Sequence, residues 1–195
     1  MIRNTENSFG SVAKWIHWLT ATWILAAYVV IYYMHWVVGN DSPNRGSYVN
    51  YHKMIGFSTF IFIAIRLYWR FTNPQPKHPS SMPKWQVMAS NGTHFLLYFF
   101  LIVIPLSGWI GNSSGVNYLL FRIPPVDELA AGVWFMQAIG VTYDEFQAPF
   151  DYFHYHLSGP ILFPIILGAH IGAAMYHHYV EKDEVLRRML PGDNA

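Results

Sequence analysis

The 195-residue chain is 53% hydrophobic and only 12% charged, with a formal net charge of +1 and no cysteine. A charged share about half that of a soluble domain points to a membrane protein, and the near-neutral balance excludes the basic footprint of a nucleic-acid-binding protein. The missing cysteines exclude disulfides, iron–sulfur clusters, zinc–thiolate sites and covalently attached c-type haem, which leaves ten histidines and eight methionines as the main candidate metal ligands.

Residues 1–12 are polar and lack the short apolar core and small-residue cleavage site of a signal peptide, so the first apolar run is expected to be retained. That run, about 13–38, is the first predicted span and carries His17 near its start. The second, about 48–71, opens with His52 and Lys53; Gly56 follows, and an uncharged stretch separates Lys53 from Arg66. Long basic side chains near span ends reach back to the interface. A proline-rich stretch, 72–83, reads as a short irregular connection. The third span, about 89–110, contains His94 and Pro105.

The connection 112–151 is too long to be an idle turn. It holds Asp127, Glu128, Asp144, Glu145 and Asp151 against Arg122, and is expected to present an acidic outer face. Tyr118, Phe121, Trp134, Phe135 and Phe146 predict one or two short interfacial helices there. The fourth span, about 152–180, has no Asp, Glu, Lys or Arg, and Pro160 and Pro164 should bend it. A bilayer core needs about 20 apolar residues, so all four runs are long enough. The predicted fold is all-α: one membrane domain, 1–195, built as a four-transmembrane-helix bundle with a long outer connection between spans three and four.

Charge fixes the expected orientation. With both termini cytoplasmic, the inner side carries Arg3, Lys14, Arg66, Arg70, Lys77, Lys84, Lys182, Arg187 and Arg188. The outer side then carries Arg45, Lys53 and Arg122, in keeping with the positive-inside rule.

His156 and His170 lie fourteen residues apart. In an α-helix that spacing advances about 21 Å and returns to within about 40° of the same face. Depth then pairs His170 with His17 on the inner side and His156 with His52 on the outer side. Each pair offers two axial nitrogens to a haem iron, and an iron ligated on both sides favours electron transfer over oxygen binding. His94 is an alternative to His17, or a quinone or propionate contact. His154, two residues from His156, falls on the wrong face of an α-helix. His35 lies beyond the outer layer, His177 and His178 at the inner boundary, and His78 in a loop. Arg66 and Arg70 either pair with haem propionates or snorkel to the surface. Gly56 and Gly159 either make room beside a macrocycle or mark tight helix packing. A proton relay without haem is the rival reading of the histidines.

The segments KWIHWLTA (14–21), HKMIG (52–56), RLYWRF (66–71), HFLLY (94–98), IPLSGW (104–109) and AHIGAAMYHHYVEKDEVLRRMLPG (169–192) resemble the bacterial cytochrome b561 family. The resemblance touches every span and the tail. It implies an inner-membrane protein with two haem b groups, exchanging electrons with quinone. It implies ligands at His17, His52, His156 and His170. Beside it, the positions of His94, His177, His178 and Lys53 make them candidate quinone or substrate contacts. The outer side would meet a basic periplasmic cytochrome or, if the chain is a membrane anchor subunit, a catalytic subunit. One member type is similar to a superoxide oxidase that reduces ubiquinone; the acidic cap disfavours that anion, while Lys53, Arg45 and Arg122 could form a local positive pocket.

Overall fold

The computed structural model describes residues 1–192. Four helical stretches are long and apolar enough to cross a membrane: Ser11–Val38, Arg45–Thr72, Lys84–Ile110 and Tyr143–Glu181. Helix α1 is Ser11–Tyr33, extended by a π-helical turn, Met34–Val38; α2 is Arg45–Thr72 and α3 is Lys84–Ile110. The expected spans are all present, and the last begins earlier than the charge pattern indicated. Its first helix is still polar, which is why hydropathy alone does not find it.

The connection between α3 and the last span is ordered. A two-stranded antiparallel hairpin, β1 (Val116–Asn117) with β2 (Arg122–Ile123), pairs Val116 with Ile123 and Asn117 with Arg122. Two short helices follow, α4 (Ala130–Ile139) and α5 (Tyr143–Tyr152), as the aromatic content predicted. Thr142 and Glu145 form a reciprocal capping box at the start of α5, so two orphan amides find partners. From α5 the chain runs without a break into a ten-residue π-helix, Phe153–Leu162, then α6, Phe163–Tyr176, and a last π-turn, His177–Glu181.

The long π-segment has a local cause. Pro160 has no N–H to donate, and in an α-helix its ring would collide with the carbonyl four residues back. Widening the turns relieves this and shifts the bonding to i→i+5. The carbonyl of Gly159 then faces Pro164, five residues on, which has no N–H either. Tyr28 resolves the orphan: its hydroxyl donates to Gly159 O at 2.7 Å.

The residues fall into two compact units, each drawing on every long helix. One holds Met1–Ala21, Ile61–Phe99 and the chain from Phe163 onward; the other holds Thr22–Phe60 and Phe100–Leu162. In the first, both ends of the chain and the 72–83 connection are tied together. Asn4 donates to Pro74 O at 3.1 Å, Lys77 N donates to Glu6 O at 2.8 Å, and the Lys77 ammonium pairs with the Glu6 carboxylate. Arg188 donates to Lys77 O and Trp18 Nε1 to Met189 O, both at 2.8 Å. In the second unit, Trp23 Nε1 donates to Ile55 O at 2.9 Å and Trp109 Nε1 to Pro124 O at 3.0 Å.

Tyr28→Phe removes the donor to Gly159 O and leaves a carbonyl unmet inside an apolar segment. The expected cost is about 1 kcal/mol, read as a lower melting temperature of the purified protein; an unchanged melting temperature would show that the π-segment satisfies itself.

Candidate functional site

In the unit containing 22–60 and 100–162, α2 supplies His52 and the π-helix supplies His154. Their ring centres lie 6.1 Å apart with planes crossing at 70°. Two imidazoles ligating one metal from opposite sides, each nitrogen about 2.0 Å from it, have ring centres about 6 Å apart. Each ring is held from behind. The Nδ1 of His52 lies 3.0 Å from Ala27 O, and the Nδ1 of His154 lies 2.8 Å from Ile104 O. A carbonyl only accepts, so Nδ1 carries the proton in both rings and Nε2 keeps its lone pair. Metal-ligating histidines are oriented in this way.

His156 is not opposite His52. It is exposed and stacks with Tyr152 and Tyr155, at ring-centre distances of 5.1 and 4.7 Å. The reason is the π-helix. The fourteen-residue argument assumes α-helical turns, whereas each π-turn accommodates an extra residue and rotates what precedes it. His154, placed on the wrong face by α-helical reasoning, is the half-buried residue that turns toward His52. Gly108 makes the space, since a Cβ there would stand 2.6 Å from the His154 ring. The sequence carried a signal for this in Pro160 and Pro164, but as an expected bend and not as a change of register.

A narrow cleft, open to the outside, lies at this pair, lined among others by Gly56, Phe57, Pro105, Trp109 and Lys53. Gly56 has nothing within 4 Å of where its Cβ would be, so its open side borders free space. Lys53 Nζ donates to Ser114 Oγ and Gly115 O, both at 2.7 Å, and to Asn112 Oδ1 at 3.3 Å.

In the other unit, His17 from α1, His94 from α3 and His170 from α6 converge. The ring centres of His17 and His170 are 6.2 Å apart, and those of His94 and His170 are 5.3 Å apart. His94 Nδ1 lies 2.8 Å from Ser90 O, which leaves its Nε2 free. Arg66 Nη2 donates to His17 Nδ1 at 3.0 Å, and Arg66 Nε to the Tyr98 hydroxyl at 2.9 Å. The guanidinium groups of Arg66 and Arg70 lie 5.4 and 5.6 Å from the centre of the Tyr98 ring. His177 is buried and paired with Asp183, Nδ1 to Oδ2 at 2.7 Å, while His178 lines a separate surface cleft with Tyr179, Lys182, Asp183 and Arg187. The cluster of three imidazoles exceeds the expected pair: His94 stands nearer His170 than His17 does.

These donor sets fit a haem. Facing neutral imidazoles, a glycine-bordered cleft at one pair and guanidinium groups at the other match its iron, its macrocycle and its anionic propionates.

Residues 8–192 match the family described as prokaryotic cytochrome b561. Among curated proteins, "Cytochrome b561 homolog 1" of Escherichia coli (strain K12) is 24% identical over 189 residues, 95% of this chain and 98% of that protein. "Cytochrome b561 homolog 2" of the same organism is 25% identical over 198 residues, covering 96% and 93%. "Probable superoxide oxidase CybB" of Yersinia pestis is 29% identical over 186 residues, covering 90% and 92%. With nearly its whole length matched and four apolar helices able to span a bilayer, the chain belongs to the prokaryotic cytochrome b561 family: it is a multi-pass inner-membrane electron-transfer protein of the b-haem type.

Proposed function

We propose that the protein passes electrons between a periplasmic donor or acceptor and the quinone pool through two b-type haems, with both termini in the cytoplasm. What carries this reading is the two imidazole pairs, His52 with His154 and His17 with His170, at 6.1 and 6.2 Å between ring centres. These imidazoles would hold a haem iron, and a haem bound there would supply a one-electron couple.

The chain's own residues set the rest. The Ala27 and Ile104 carbonyls hold His52 and His154 in the tautomer that presents Nε2. His17 needs a change first, because an arginine only donates and so Arg66 now occupies its Nδ1 as acceptor. Arg66 and Arg70 would hold an anionic propionate; with Arg66 so engaged, Nδ1 of His17 would be free to carry the ring proton and Nε2 to present its lone pair. His94 is the alternative inner ligand, its Nε2 already free. His177, whose Nδ1 is held by Asp183 Oδ2, and His178 would give a hydrogen bond or proton to quinone. The basic residues assigned to the inner side outnumber the outer ones, which supports cytoplasmic termini.

A second reading, superoxide oxidation, is favoured by the relative named a probable superoxide oxidase and by Lys53 in the His52–His154 cleft. Each superoxide would lose one electron and leave as dioxygen, and two such electrons with two protons reduce a quinone to quinol. The acidic cap opposes such an anion less than its sequence suggests. Glu128 is bound by both terminal nitrogens of Arg122, at 2.7 and 2.8 Å, so its charge is balanced.

Three outcomes are expected. In purified protein, His154→Ala and Gly108→Ala lower the haem-to-protein ratio from two toward one, while His156→Ala keeps it at two; loss of haem in His156→Ala alone restores the fourteen-residue pairing, and a parent without haem ends the reading. Arg66→Gln removes a cation that favours the reduced state, so one spectral component falls in midpoint potential by on the order of tens of millivolts, seen by redox titration. Lys53→Gln slows superoxide-driven haem reduction if that anion is a substrate; an unchanged rate removes the second reading.

A further inference from the structure

We infer that the β1–β2 hairpin is a membrane-dipping element: its tip, Leu119–Leu120–Phe121, inserts between lipids beside α2, at the boundary of headgroups and acyl chains.

The tip is exposed in a way a watery loop would not tolerate. Leu119 is 95% exposed, Leu120 90% and Phe121 60%, three consecutive large apolar side chains of which the two leucines are almost bare. Residues 112–121 contain no charged side chain, and Arg122, the first that follows, is neutralised by Glu128.

The hairpin is also held at depth. Asn117 is clamped to Asn50 by two hydrogen bonds, Asn50 Nδ2 to Asn117 O at 2.8 Å and Asn117 N to Asn50 Oδ1 at 3.0 Å. The Tyr118 hydroxyl then reaches Met54 O and Ser58 Oγ, both at 2.9 Å. Met54 and Ser58 lie about 14 and 20 Å along α2 from Arg45, where that helix begins. Both are past Lys53, in the uncharged stretch of the span. A loop at the end of a span had no need to fold back along it, and this one does so with its apolar tip uncovered.

The backbone supports a boundary position. Tyr118 N donates to Phe121 O at 2.8 Å and closes the turn, β1 and β2 satisfy each other, and Asn50 caps the free edge of β1. The amides of Leu119 and Leu120 remain for headgroup oxygens and water, which the acyl interior lacks. Tyr118 stacked on Phe121, ring centres 4.8 Å apart, adds an aromatic pair of the kind found at membrane interfaces. Since Gly115 and Val116 at the base of the hairpin line the His52–His154 cleft, the same lipid contact steadies one wall of that cleft.

The unbalanced charge of this connection lies outside the hairpin, on Asp127, Asp144, Glu145 and Asp151, which leaves the tip a surface for lipid. The inference needs only that the long helices span a bilayer, so it stands or falls apart from the haem assignments.

The chain has no native cysteine, which makes single labels clean. Leu120→Cys carries a nitroxide, with the holoprotein in phosphatidylcholine–phosphatidylglycerol vesicles. Relaxation is measured with dioxygen, which concentrates in lipid, and with a water-soluble nickel chelate. Leu25→Cys, on the exposed apolar face of α1, and Asp144→Cys, exposed on α5, give the lipid and aqueous references. The label at 120 is expected to relax several-fold faster with dioxygen than with nickel, like the label at 25, and Leu119→Cys to agree. Nickel-dominated relaxation like that at 144 overturns the inference. So does shielding from both agents, which a second copy or a protein partner on the tip would produce.

Discussion

Inside a bilayer, every backbone N–H and C=O must find its partner within the protein, because lipid offers none. The last span violates this twice, at Pro160 and Pro164, and much of the unit around it answers those violations. The helix widens into π-turns, the carbonyl of Gly159 is left over, and Tyr28 crosses from α1 to fill it. The widened turns then decide which histidine faces inward. A sequence feature that reads as a defect thereby selects a candidate ligand.

The two histidine clusters differ in how they are restrained. At the His52–His154 pair both rings lean on main-chain carbonyls, which do not change charge or leave, so the ring tautomers are fixed before anything binds. At the other cluster His17 is engaged by the side chain of Arg66, which also donates to Tyr98, and a third imidazole stands close by. The first pair is restrained by the main chain, the second by a charged side chain. In spans otherwise nearly free of charge, Arg66 and Arg70 are the cations beside that cluster.

The four spans were legible from hydropathy and charge alone, because membrane crossing imposes a length and a composition that a sequence cannot hide. The approach of His17 to His170 was legible too, since α-helical spacing and depth leave few partners. The approach of His154 to His52 was not. A pairing argument counts residues at a constant angle, and proline makes the angle vary in the segment where His154 and His156 compete. The hairpin was missed for another reason. Its strands are two residues each, its turn holds no Asn-Gly or Asp-Gly pair, and its apolar tip reads equally well as part of an interfacial helix. Its position depends on Asn50 and Tyr118, and such long-range bonds leave no local pattern.

The knot joining residues 4–6, the 72–83 connection and residues 188–189 also bears on what a shortened chain would do. Lys77 takes part through three groups: its ammonium meets the Glu6 carboxylate, its amide donates to Glu6 O, and its carbonyl accepts from Arg188, while Trp18 reaches the Met189 carbonyl. A chain cut before Arg188 would keep all four spans yet lose the last two bonds, and the 72–83 connection would then be held through residues 4–6 alone.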